Sequence, residues 1–146
     1  MKALTLTQPW ASLVALGYKR VETRSWPIYR SQFSTIAIHA AKGMPKAARD
    51  FAEVEHTLGR IPGAIPRGAV VAVARLLDCR RTEEAAGMVS GLERYLGDYS
   101  PGRWAWFLGY VYALSKPVPC RGALGLWELP AEIEAEIRVM LSMRLP

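Results

Sequence analysis

The chain reads as an α+β fold, a small mixed β-barrel of five to six strands flanked by helices. Two observations predict it. Runs rich in β-branched and aromatic residues fill the middle, at 69–77 and 103–114, while the clearest helical spacing lies toward the two ends. The implied order, βαββαβ(α)ββα, lacks the regular strand–helix alternation of a parallel α/β sheet. At 146 residues the chain fits one domain, 1–146, and a chain of this length buries roughly two thirds of its unfolded surface.

Ala3 to Leu6 is a short strand. Pro9 suits a first helical position and Gly17 a stop, with Trp10, Leu13 and Val14 on one face, so 9–16 is a two-turn helix. Val21 to Ser25 alternates as a strand, and Ser34 to Ala40 places Ile36 and Ile38 on one face of another. Ala47, Phe51, Val54 and Leu58 mark a helix over 45–58, followed by a loop from Gly59 to Gly68. Ala69 to Leu77 is apolar enough for a central strand covered on both faces. Thr82 is an N-cap candidate for a short helix at 83–87, and 88–102 fits no single pattern before its Ser-Pro-Gly turn. Arg103 to Leu114 is a long strand with Gly109 marking a bulge, and Lys116-Pro117-Val118-Pro119 breaks it. Gly122 to Leu129 is a last strand or tight turn, and an amphipathic helix runs over about 130–143.

Charge is distributed unevenly. Residues 1–49 hold eight basic side chains against the single acid Glu22, a net of +7, while 50–146 hold eleven basic and twelve acidic, a net of −1. That asymmetry points to a polyanion such as RNA or DNA, or else to a basic surface with no specific partner. The two cysteines, Cys79 and Cys120, suit neither a disulfide scaffold nor a zinc site, and no cofactor or metal is expected. No secretory leader or membrane-spanning run is visible, so a cytoplasmic monomer is the default expectation.

The densest chemistry lies in Leu6-Thr7-Gln8-Pro9-Trp10-Ala11-Ser12-Leu13, Gly17-Tyr18-Lys19-Arg20-Val21-Glu22-Thr23-Arg24-Ser25-Trp26 and Ile38-His39-Ala40-Ala41-Lys42. On a strand, Glu22 and Arg24 share a face, with Lys19 in the turn before it; they form either a binding site or a structural salt bridge. Gln8 can read a base edge or satisfy the start of a helix. Trp10 and Trp26 can stack on a base or pack in the core, Trp26 being the better stacking candidate. His39 is a site member, a general acid or base, or a buried barrel histidine. Trp104, Trp106 and Trp127 read as core. Arg30, Lys42, Lys46, Arg49 and Arg67 could track a phosphate backbone.

These three stretches resemble the ASCH domain, in the form that the activating-signal cointegrator carries. The likeness continues through Gly68-Ala69-Val70-Val71, Leu77-Asp78-Cys79, Trp104-Ala105-Trp106, Pro117-Val118 and Gly125-Leu126-Trp127, so it spans about 3–130. Arg30-Ser31 stands where many members have Arg-Gly. The resemblance implies a PUA-like β-barrel with a cleft lined by Lys19, Glu22 and Arg24 and walled by Gln8, Pro9 and Trp10. It implies a nucleic-acid-binding protein whose ligand residues are Gln8, Trp10, Lys19, Glu22, Arg24, Trp26, His39 and Lys42. The alternative is an enzyme on RNA or modified nucleosides, with Lys19, Glu22 and His39 as its catalytic residues. Against the 4-acetylcytidine amidohydrolase pattern in this family, Glu22 stands in place of the nucleophilic Thr and Ala74 in place of a central-strand Glu.

Overall fold

A computed structural model of the chain describes residues 1–29, 32 and 34–143. Its strands are β1 (Lys2–Leu6), β2 (Val21–Arg24), β3 (Thr35–Ala40), β4 (Ala69–Arg81), β5 (Trp104–Pro119) and β6 (Leu126–Glu128). Its helices are α1 (Trp10–Ala15), α2 (Lys46–Thr57), α3 (Thr82–Ala85), α4 (Gly91–Leu96) and α5 (Ala131–Ser142), with a 3-10 turn at Ala86–Met88.

The strands form one six-stranded sheet in the order β2-β5-β4-β3-β1-β6, curled into a half-barrel. β1 runs parallel to β3, and every other pairing is antiparallel. Strand alternation divides the core between the two faces. Leu4, Leu6, Ile36, Ile38 and Trp106 pack with Ala11 and Val14 of α1 on one face. Ala3, Ala37, Val73 and Val118 pack with Ile137 of α5 on the other. β4 lies mid-sheet between β3 and β5, and its first six residues are buried.

Four sequence expectations are corrected. β4 runs four residues past Leu77 because Asp78 to Arg81 still pair with Phe107 to Trp104. Lys116-Pro117-Val118-Pro119 does not end β5; the register jumps between Ala113 and Val118, and the extra residues bulge out, which leaves Pro117 no ladder bond to make. Thr82 is not a cap. Arg81 holds the cap position, and the Thr82 hydroxyl donates to Ser100 O at 2.8 Å. Pro9 likewise precedes the first helical residue, Trp10. The unassigned stretch at 88–102 contains α4, whose Ser90 hydroxyl accepts from the Glu93 N–H at 3.1 Å.

The bulge predicted at Gly109 is present. One extra residue of β5 lies between Gly109 and Tyr112, and Tyr110 takes φ 49°. A β-carbon on Gly109 would lie 2.4 Å from Leu77 Cδ1, so glycine lets the two bulged segments touch.

Candidate functional site

The eight ligand residues expected from the sequence do not meet in one place. Four of them, Trp10, Lys19, Glu22 and Arg24, line a hollow of about 390 Å3 between α1, β2 and α4. His39 and Lys42 line a separate hollow of about 750 Å3 beyond β1. Gln8 and Trp26 line neither.

In the first hollow every cation has a partner. Lys19 is 1% exposed, and its ammonium donates to Val21 O at 2.6 Å and Leu96 O at 3.2 Å. Glu22 stands between two cations, with Oε1 3.5 Å from Lys19 Nζ and Oε2 accepting from Arg24 Nε at 3.1 Å. Arg24 also donates through Nη2 to Thr5 O at 2.8 Å. Arg103, which the sequence reading did not single out, lies 3.4 Å from Asp98 and donates to Thr23 O. The hydroxyl and N–H of Ser100 hold the Asp98 carboxyl below its ordinary range, helped by the Arg103 charge. The result is a polar floor in which three cations lie against two carboxylates, Lys19 and Arg24 sharing Glu22.

The wall beside it is aromatic. Trp10 lies 5.0 Å from Phe51 between ring centroids, and Phe51 stacks on Tyr95 at 5.3 Å. Tyr95, at the end of this ladder, is 48% exposed. Phe51 read only as part of a helical stripe, and Tyr95 fell in the stretch without a pattern. α2 and α4 bring both rings to Trp10 through tertiary packing that no local spacing announces. Behind this hollow Glu93 accepts from the Arg20 N–H, and burial pushes its carboxyl up against the opposing pull of that bond and of Lys19.

Gln8 is completely buried. Its amide donates to Ser12 Oγ at 2.8 Å and Pro66 O at 2.6 Å, and accepts from the Ser12 N–H at 2.9 Å. Both donors are engaged, so the base-edge role expected of Gln8 gives way to that of a clasp at the start of α1. Trp26 stands edge-on to Trp106, 4.6 Å between centroids, and its carbonyl accepts from Trp106 Nε1 at 3.2 Å. Trp26 is thus half-buried, packed edge-on against the core and apart from both hollows.

The second hollow is different in kind. Lys42, Arg67 and Arg121 border it, and no carboxylate does. His39, 1% exposed, forms its floor. His39 Nε2 donates to Cys120 O at 2.7 Å, which leaves Nδ1 to accept from the Thr5 hydroxyl at 3.2 Å. Burial lowers the His39 pKa, in keeping with this neutral tautomer. Lys19 and Glu22 thus belong to one hollow and His39 to the other, which separates the three expected catalytic residues. Thr5 borders both hollows: its carbonyl holds Arg24 and its hydroxyl meets His39. Of the remaining expected rim, Lys46 pairs with Asp50 at 2.8 Å, Arg49 faces a third hollow with His56, and Arg30 and Ser31 lie outside the described residues.

Among the described residues, no group of three or more His, Cys, Asp or Glu could hold a metal ion, and no helix is long and apolar enough to cross a membrane.

The ASCH domain family model matches residues 4–118. Activating signal cointegrator 1 of Homo sapiens is 34% identical over 80 residues, covering 52% of this chain and 14% of that protein. Its Mus musculus counterpart is 34% identical over 83 residues with the same coverage. The chain therefore spans about 14% of the length of these curated relatives. The crystal structure of ASCH from Zymomonas mobilis superposes with a TM-score of 0.62 at 15% identity, covering 95% of this chain and 94% of that one. A serine-to-alanine mutant of the Zymomonas protein gives a TM-score of 0.57 at 16% identity, covering 94% of each chain. At such identity these structures establish the shared fold. With the family model spanning most of its length, this chain belongs to the ASCH domain family.

Proposed function

We propose that the chain binds nucleic acid and seats an unpaired base in the hollow of Trp10, Lys19, Glu22 and Arg24. The observation that carries this reading is the Trp10–Phe51–Tyr95 ladder beside a floor whose charges are already paired. A phosphate gains little from cations held by carboxylates. A nucleobase is flat and uncharged, and stacking on an aromatic side chain contributes about 1–3 kcal/mol per base. Glu22 and Asp98 offer acceptors to exocyclic amino groups, and Arg24 and Arg103 offer donors to ring nitrogens and carbonyls.

Less supports the enzymatic alternative. The Lys19 ammonium is surrounded by Val21 O, Leu96 O and Glu22, an arrangement that braces a structure rather than activates a hydroxyl. Ala74 is completely buried in the core, so the position of the central-strand Glu carries no polar group.

The test is the affinity of short single- and double-stranded RNA and DNA for the chain and for Tyr95→Ala, followed by tryptophan fluorescence, with Trp10→Leu identifying the part of the signal that belongs to Trp10. Single strands are expected to bind and quench, and Tyr95→Ala to weaken them about tenfold. Equal affinity in Tyr95→Ala and Trp10→Leu, with both variants folded by circular dichroism, would refute the reading.

A further inference from the structure

The second hollow has a chemistry that base recognition does not use. Lys42, Arg67 and Arg121 come from three distant segments, yet all border one cavity of about 750 Å3. All three are exposed at its edge, and none enters an ion pair or side-chain hydrogen bond among the described residues. Like charges gathered around a cavity whose lining holds no carboxylate repel one another, and an anion between them relieves that repulsion.

The convergence is built into the backbone. The Gly68 N–H donates to Ala40 O at 2.8 Å, and the Gly68 carbonyl accepts from the Cys120 N–H at 3.0 Å. One residue therefore stitches together the segments that lead to Lys42, Arg67 and Arg121. Gln8 grips Pro66, immediately before Arg67. The His39 ring holds Cys120 O, immediately before Arg121. Gly122 lies so near that ring that a β-carbon would stand 2.6 Å from its Cε1 and 3.0 Å from Thr5 Oγ1. These clasps carry guanidinium groups, whose planar donor fork matches phosphate oxygens.

We infer that the Lys42–Arg67–Arg121 hollow is a phosphate site, and that it receives the phosphate attached to the nucleoside held in the aromatic hollow. The second clause rests on the proposed base site. Thr5 borders both hollows, so a base in one and its phosphate in the other lie on either side of a single residue. The same cations would accept a strand phosphodiester or a terminal or free phosphomonoester, and the assays separate these sources.

The test compares the wild-type chain with the double variant Arg67→Gln/Arg121→Gln, whose altered side chains are exposed. One arm titrates a single-stranded oligonucleotide lacking terminal phosphates at several salt concentrations. The other follows 31P line broadening of inorganic phosphate and of a nucleoside 5′-monophosphate. The double variant is expected to lower the slope of log K against log salt by about 1.4, since each lost phosphate contact on a single strand removes about 0.7. It is also expected to abolish the 31P broadening. If the wild type binds the strand and the slope is unchanged in the double variant, the phosphate site is overturned and the base site stands. Broadening by phosphate that the double variant loses, with no affinity for any strand, supports the phosphate site and overturns the base reading. No broadening and no strand binding overturns both.

Discussion

Two hollows meet at Thr5, and they are opposites. In one, Lys19, Arg24 and Arg103 each lie within 3.5 Å of a carboxylate. In the other, Lys42, Arg67 and Arg121 border a cavity whose lining holds no carboxylate. The motif residues that look most basic in the sequence are thus the ones whose charge the fold spends internally. Burying Lys19 without Glu22 and two carbonyls would leave an ammonium desolvated and uncompensated, so its partners are a condition of its place in the fold. The exposed cations need no such partners and remain free to meet an anion.

The contrast can be broken from the loop that carries Arg67. Glu55 is completely buried, and its two oxygens accept from the guanidinium of Arg60. Arg60→Ala leaves that buried carboxylate without its cation, with the Tyr95 hydroxyl as its remaining partner, and is expected to cost about 3 kcal/mol, read by urea unfolding. It should also weaken the phosphate response, because 59–68 leads into Arg67. Gln8→Ala strands Pro66 O and the Ser12 N–H and is expected to cost about 2 kcal/mol. Since Gln8 joins the start of α1 to Pro66, this variant should weaken strand binding and phosphate broadening together.

Gly122→Ala sharpens the comparison. The added methyl group meets His39, so the Arg121 loop must shift, at an expected cost of about 1–2 kcal/mol in thermal unfolding. Phosphate broadening should fall while nucleoside quenching of Trp10 persists. Tyr95→Ala is the mirror experiment: phosphate broadening persists and nucleoside quenching falls.

The smallest expected effect is in pH. His39 has its folded pKa depressed below 6.5, so between that folded value and 6.5 the unfolded chain binds more protons than the native one. Its contribution is complete above about 6.5 and is lost as pH falls below that value. Glu93, raised above 4.5 by burial, acts in the opposite sense, favouring the fold more as its carboxyl protonates. From pH 7.5 to 5 the melting temperature should therefore fall further in the wild type than in His39→Gln. An equal fall in the variant would assign the trend to other groups.

The fold was largely legible because its elements obey their periods. Trp10, Leu13 and Val14 share a helical stripe, Ile36 and Ile38 share a strand face, and 69–74 has the unbroken apolar run of a strand buried on both sides. The continuation of β5 through two prolines was not legible, because a bulge removes the hydrogen bond whose absence makes proline a breaker. In the motif hollow Lys19, Glu22 and Arg24 could be read, because strand alternation aims the last two together. Phe51 and Tyr95 could not, since only packing between α2 and α4 makes them neighbours of Trp10. Charge counting misled in a specific way. It drew attention to the first third of the chain, whereas Arg67 and Arg121 lie in the part whose acids cancel its bases in number, and none of those acids lines the cavity that the two arginines border.

The most direct test of this division of labour is an amide and indole 1H–15N spectrum recorded with adenosine or cytidine and, separately, with inorganic phosphate. The nucleoside should shift the Trp10 indole and the Tyr95 amide, and phosphate should shift the Arg121 and Gly122 amides. If both ligands move the same set of signals, or phosphate shifts Trp10 and Tyr95 in place of Arg121 and Gly122, the two hollows do not divide base from phosphate.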